Sequence, residues 1–253
     1  LVIALRQPFG FCQEGRRKVK QNDAPNARPC GHILHTDPPL YVLVTYCPQR
    51  AQPDFVRASC EAIDETYHGR PGNALTVFLS PFDAYLSAAY ISQPGEPYHV
   101  VHAARFDPRE LIHTNGGKLH ISLHCGFGAH DGRLVRRRAG SIVTLSAEQS
   151  WDIDSHNVSA VDINLTDHDL KGYQSLRDAA GLFAHAESHA PFLSLPHPAR
   201  ARAVGRAIAC MEGTVDLSHK ANQCAIYDPE AGAWHFVPIG VFFDAQNEEA
   251  CPS

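Results

Sequence analysis

Apolar and polar positions alternate with a period of two along much of this chain, the pattern of strands that turn one face to a core. Leu119, Ile121, Leu123 and Cys125 interleave with His120, Ser122 and His124, which predicts a half-buried strand; Gly126, Gly128 and Gly132 behind it predict a loop or hairpin bend. Residues 40–46 are apolar almost throughout and stop at Pro48, as expected of a central strand covered on both faces. Further strands are expected at 1–5, 75–79, 98–106, 141–145, 151–153 and 158–165. Helical spacing takes over elsewhere. Asp54 caps an expected helix over 54–69 through Phe55, Cys60 and Ile63, while Ser80 followed by Pro81 marks a helix start, with Phe82, Tyr85, Leu86, Ala89 and Tyr90 as its apolar stripe. Two more helices are expected at 170–190 and 199–211, broken at Pro191, Pro196 and Pro198. Residues 12–31 read as a polar loop, and 223–227 pairs with 233–238 across the turn Asp228-Pro229-Glu230-Ala231-Gly232.

These elements predict an α+β fold: a strand-rich mixed or split sheet with short helices and a helical segment near the C-terminus, closed by a β-hairpin. One domain over 1–253 is expected, divisible at most into a strand-rich unit (1–166) and a helical segment with the terminal hairpin (167–253). At 253 residues and 44% hydrophobic content the chain can bury a sizeable core. A net charge of -5 leaves no general basic field for nucleic acid or an anionic membrane, so Arg133 and Arg136 to Arg138 read as a solvated rim. No apolar run approaches the roughly 18 residues of a spanning helix, so a soluble protein without a membrane span is expected. The chain opens on Leu1 and its one methionine is Met211, which reads as a processed or trimmed product.

Candidate chemistry narrows by elimination. The eight cysteines include no C-x-x-C pair, which removes zinc-ribbon and thioredoxin readings and leaves small buried apolar residues as the expectation. Sixteen histidines suggest metal, but His120 and His124 on a strand stand roughly 13 Å apart along its axis. His185 and His189 share a helix face at their spacing. Glu187 between them gives H-x-E-x-H, in which the glutamate is turned about 100° from the base position of the zincin motif, so no metal is favoured. Cys125 after His124, and Cys12, lack the helix N-terminus that would activate a thiolate. G-x-S-x-G, P-loop and G-x-G-x-x-G fingerprints are missing.

Over residues 74–165 the order of elements resembles a known family. Val77-Phe78-Leu79-Ser80 leads into a helix with Ala88-Ala89-Tyr90, a strand ends in Asp107-Pro108, and Ser141-Ile142-Val143-Thr144-Leu145 and Trp151-Asp152-Ile153 follow. This resembles the ADP-ribosyltransferase-like fold of bacterial toxins and effectors. The resemblance implies a transferase that uses NAD, a protein target, and a protein secreted or translocated from a bacterium. It also implies a first-strand dinucleotide contact at His32 or His35, a nicotinamide pocket from Ser80, Tyr85 and Tyr90, and a late catalytic glutamate. Where the family carries E-x-E or Q-x-E, this chain reads Arg138-Ala139-Gly140-Ser141; Glu148 is the nearest substitute and Asp152 the next. A variant similar to the RNA 2'-phosphotransferases of that superfamily would use imidazoles and Arg133 to Arg138 instead. Two other expectations stay open, a non-enzymatic binding domain that lacks the catalytic glutamate and a metal- or thiol-dependent hydrolase.

Overall fold

The computed structural model describes residues 34–46, 56–63, 72–137, 140–153, 161–211 and 213–247. Its strands are β1 (Leu34–Asp37), β2 (Tyr41–Tyr46), β3 (Val56–Ala58), β4 (Cys60–Ile63), β5 (Gly72–Phe78), β6 (His99–His102), β7 (Lys118–His130), β8 (Arg133–Arg136), β9 (Thr144–Asp152), β10 (Val161–Asn164), β11 (Thr214–Asp216), β12 (Gln223–Asp228) and β13 (Ala233–Pro238). Its helices are α1 (Pro81–Ile91), α2 (Arg109–Thr114), α3 (Asp167–Ala179), α4 (His189–Ser194), α5 (His197–Ala209) and α6 (Gly240–Asn247), with 3₁₀ turns at Ala103–Arg105 and His185–Ser188. β1 and β10 form a separate parallel ladder; the other eleven strands make one mixed sheet. The fold is α+β, as the residue pattern predicts.

β7 is the spine of that sheet. Along one edge it pairs antiparallel with β9 and then closes a hairpin with β8. Along the other edge it pairs parallel with β5 through Ile121 to His124, and antiparallel with β12 through Phe127 to Ala129. β5 and β12 therefore diverge from the same edge, and the sheet forks at Cys125 and Gly126, where the β9 ladder also shifts register. Such a bulge adds one residue and increases the local twist. It also shifts the alternation, so that His124 and Phe127 share a face with ring centroids 4.7 Å apart.

The two faces carry different layers. One face, with Leu75, Val77, Leu119, Ile121, Leu123, Cys125, Cys224 and Ile226, packs with Tyr173 and Leu176 of α3 and Phe242 of α6 into the main core. On the other face, α1 lies across the fork. Ala84 and Ala88 pack on Leu43 and Phe78 to one side of it, and Phe82 and Leu86 pack with Phe127, Phe192 and Tyr227 to the other.

Several expectations are corrected by this arrangement. The stretch 56–63 is strand, because Val56 to Ala58 pairs with β2 before it and Cys60 to Ile63 with β5 after it; pairing on neighbouring strands overrides the helical spacing. β7 runs on through Gly126 and Gly128 to His130, and the turn is at Asp131 and Gly132. Residues 144–152 form one strand rather than two. The 170–190 helix stops at Ala179 in a Schellman ending, with Gly181 at φ 75°, Leu182 N donating to Arg177 O at 2.8 Å and Gly181 N to Asp178 O at 3.0 Å. Residues 98–106 shorten to β6 and a 3₁₀ turn, and α6 follows the terminal hairpin. The expected strand at 1–5, the loop at 12–31 and His32 lie outside the described residues.

Candidate active site on the polar face of the sheet

Alternation on β7 turns His120, Ser122 and His124 to the α1 face, and register extends that row sideways: Thr76 of β5 and Glu148 of β9 both flank Ser122. Glu61, on β4 and opposite Ala74, reaches into the same row. It is buried, and its carboxylate accepts hydrogen bonds from Thr144 Oγ1 at 3.0 Å and from Ser122 Oγ at 3.4 Å. Burial pushes the Glu61 carboxyl above its ordinary pKa, and the Glu148 charge adds to the rise; Thr144, Arg137 and Ser122 pull the other way without cancelling it. Arg137 is itself buried, its Nη2 has no hydrogen-bond partner, and its pKa is lowered by desolvation against the opposing pull of Glu61. Glu148 is exposed. The arrangement is a pair of carboxylates in unlike settings, one inclined to hold a proton and one open to solvent.

The residues expected from sequence divide between this face and other duties. Glu148 lies on it. Ser80 is buried and serves as the N-cap of α1, its Oγ accepting from Asp83 N at 3.1 Å. The Tyr85 ring meets Phe192 edge-on at 5.5 Å and lies 5.0 Å from the Arg200 guanidinium. Tyr90 stands 6.4 Å from Phe127, with its pKa raised by burial against the opposing charge of Arg136. His35 is exposed on β1, opposite Asp162 in the separate ladder. Asp152, at the end of β9, pairs with Lys118 at 3.3 Å. Glu61 is not among the residues that the sequence points to, since 54–69 reads as helix; the burial of Glu61 and Ile63 on alternate positions is its strand signal.

A second polar cluster fills the fork. Arg177 of α3 is 1% exposed; its Nη1 donates to Cys125 O at 3.0 Å and its Nη2 to Asp83 Oδ2 of α1 at 3.1 Å. One guanidinium thus joins a helix on each face through the opening between β5 and β12. Its carbon lies 3.3 Å from the Tyr173 ring centroid. Burial raises the Asp83 pKa to about 6 in spite of Arg177 and Ser80. His124 is pushed down to about 3, by burial first and Arg177 second. His185 falls to about 3 and His189 to about 4 for the same reasons, and their rings stand perpendicular at 5.4 Å. These two sit where a 3₁₀ turn enters α4, not on one continuous helix face. Cys125 is raised to about 12 by burial, which leaves no thiolate there at neutral pH.

No known family model, curated protein or solved structure matches this chain. The chemistry therefore rests on the residues themselves. Among the described residues, no helix is long and apolar enough to cross a membrane.

Proposed function

We propose that the protein is an ADP-ribosyltransferase-like enzyme that uses NAD as donor and a protein as acceptor, with its catalytic carboxylates on the polar face of the sheet. The observation that carries this reading is the juxtaposition of Glu61 and Glu148, which supplies from two strands the carboxylate pair that residues 138–141 lack in sequence. The donor set also suits a dinucleotide: Arg137 offers an unpartnered buried Nη2, and Tyr90 offers an aromatic ring beside Arg136. In this scheme the Glu148 carboxylate faces the ribosyl carbon as its bond to nicotinamide breaks. The bonding electron pair leaves with nicotinamide, and the carboxylate stabilises the positive charge left on the sugar until the acceptor nucleophile attacks and gives up its proton to that carboxylate. Glu61, held by Ser122 and Thr144, sets its charge beside Glu148 and Arg137.

Nicotinamide release from NAD, measured by chromatography with a panel of acceptor proteins, tests the proposal. Glu148→Gln is expected to lower the rate by about 100-fold or more with the circular dichroism spectrum unchanged. Full retention of rate in that variant rejects the assignment; no release and no thermal shift with NAD in the unmodified protein rejects the activity. A binding domain without turnover is the second reading, favoured by the commitment of Ser80 to the helix cap and by the filled fork beside it.

A further inference from the structure

The chain doubles back on itself between β8 and β9. Ile142 bridges antiparallel to Arg136, the last residue of β8, and Arg137 N donates to Ser141 O at 2.8 Å. Gly140 takes part in the reversal: its φ is 94°, in the region that favours glycine, and its N donates to Arg137 O at 2.9 Å. In this register Arg137 and Ser141 are opposite each other, and opposite residues of an antiparallel pair turn their side chains to the same face. Both are buried, at 5% and 7% exposure, yet Arg137 Nη2 and Ser141 Oγ each lack a hydrogen-bond partner among the described residues.

A buried guanidinium with idle donors is costly, and an anion that accepts from it removes the cost. Glu61 acts on Arg137 from nearby, but its carboxylate is held by Thr144 Oγ1 at 3.0 Å and Ser122 Oγ at 3.4 Å, and Nη2 stays out of its reach. The rise in the Glu61 pKa weakens it further as a counter-charge. Arg136 adds a second guanidinium beside the bridge, its Nε donating to Gly140 O at 3.2 Å. The charge of Glu148 counts against an anion here; the two guanidiniums outweigh it. A guanidinium fork, a hydroxyl and a second guanidinium at the rim point in different directions, which suits the tetrahedral oxygens of a phosphate better than a flat carboxylate. The half-buried ring of Tyr90, on which Arg136 acts, supplies an apolar surface alongside, so the donors and the ring together fit a nucleotide rather than a free ion.

We propose that Arg137 and Ser141, with Arg136 at the rim, seat a phosphate of a nucleoside diphosphate group. The seat deepens the transferase reading above and rests on it for the choice of NAD as the bearer of that group. Calorimetric titration of the full chain with ADP, NAD, adenosine and inorganic phosphate tests it. ADP and NAD are expected to bind with Kd below about 1 mM, and adenosine, which has no phosphate, is not. Arg137→Lys, which keeps the charge but not the fork, and Ser141→Ala, which removes only a hydroxyl, are each expected to weaken ADP binding by about 10-fold, with the ligand-free urea midpoint of Ser141→Ala unchanged. Equal ADP affinity in both variants overturns the seat, as does equal affinity for adenosine, binding of inorganic phosphate alone, or no binding of ADP at about 1 mM. The two readings fail separately. ADP binding that depends on Arg137 in a protein that releases no nicotinamide upholds the seat and rejects the transferase; nicotinamide release with an unchanged KM for NAD in Arg137→Lys and Ser141→Ala rejects the seat alone.

Discussion

Arg177 holds a full charge where almost no water reaches, and its cost is met by one carboxylate, two carbonyl contacts and the face of a tyrosine. Removing one member of such a pair leaves the other charged and buried. Arg177→Met is therefore expected to lower stability by about 3–5 kcal/mol, measured by urea denaturation, and the Asp83→Leu/Arg177→Met double variant to recover part of that loss. Neither partner could be recognised from sequence, because they are 94 positions apart and each has an ordinary place on its own helix. Glu61 was hidden for a related reason. Its value lies in the hydroxyls of Ser122 and Thr144, which are 61 and 83 positions away. The capping duty of Ser80, by contrast, was legible from its local setting, because Pro81 follows it directly at the start of α1. Ser80→Ala is expected to cost about 1 kcal/mol, read as a fall in thermal midpoint, since it removes the hydroxyl that accepts from Asp83 N.

Elements whose pattern is strictly local were the readable ones. α1 follows from Ser80-Pro81, and the β12–β13 hairpin follows from its turn residues, with Tyr227 opposite Trp234 as the spacing requires. Glycine misled where it serves packing rather than turning. A Cβ at Gly126 would collide with Cys224 Sγ, and one at Gly128 would come within 2.8 Å of Val143 Cγ1; the close neighbours, not a bend, exclude a side chain from this strand. Gly128→Ala is expected to destabilise by about 1–3 kcal/mol through overpacking, with the secondary structure content preserved. The opposite case is Gly181, whose left-handed backbone ends α3 and so turns the chain toward His185. The apolar rhythm of the segment hides that stop, because apolar residues continue on its far side as Leu182 and Phe183.

At the scale of the whole molecule the buried imidazoles set the response to acid. His124, His185 and His189 are neutral when folded, with pKa values of about 3, 3 and 4 against 6.5 unfolded. A depressed folded value means that the unfolded chain takes up protons first, so stability present above pH 6.5 is lost as the pH falls toward 4 and 3. Asp83 works in the other direction. Its folded value of about 6 against 3.8 favours the folded state increasingly as pH falls through 6. A tenfold difference in proton affinity between the two states is worth about 1.4 kcal/mol, so at pH 5 His124 alone costs roughly 2 kcal/mol, His189 less because it is only half-buried, and Asp83 returns part of the sum. The urea midpoint is expected to drop between pH 7 and pH 5; His124→Gln is expected to flatten that slope, and an unchanged slope rejects this account.

The fork has a temporal consequence as well. A ribosome delivers β5 and β7 long before β12, so the far half of the β7 edge, with its glycines and an unanswered row of backbone amides, stays open while roughly a hundred further residues are made. Asp83 likewise waits for Arg177. The sheet cannot be completed before β12 is made, and any stall before residue 224 leaves a bare strand edge available to a neighbouring chain. Aggregation of such arrested products, rather than of the finished molecule, is the hazard this topology creates.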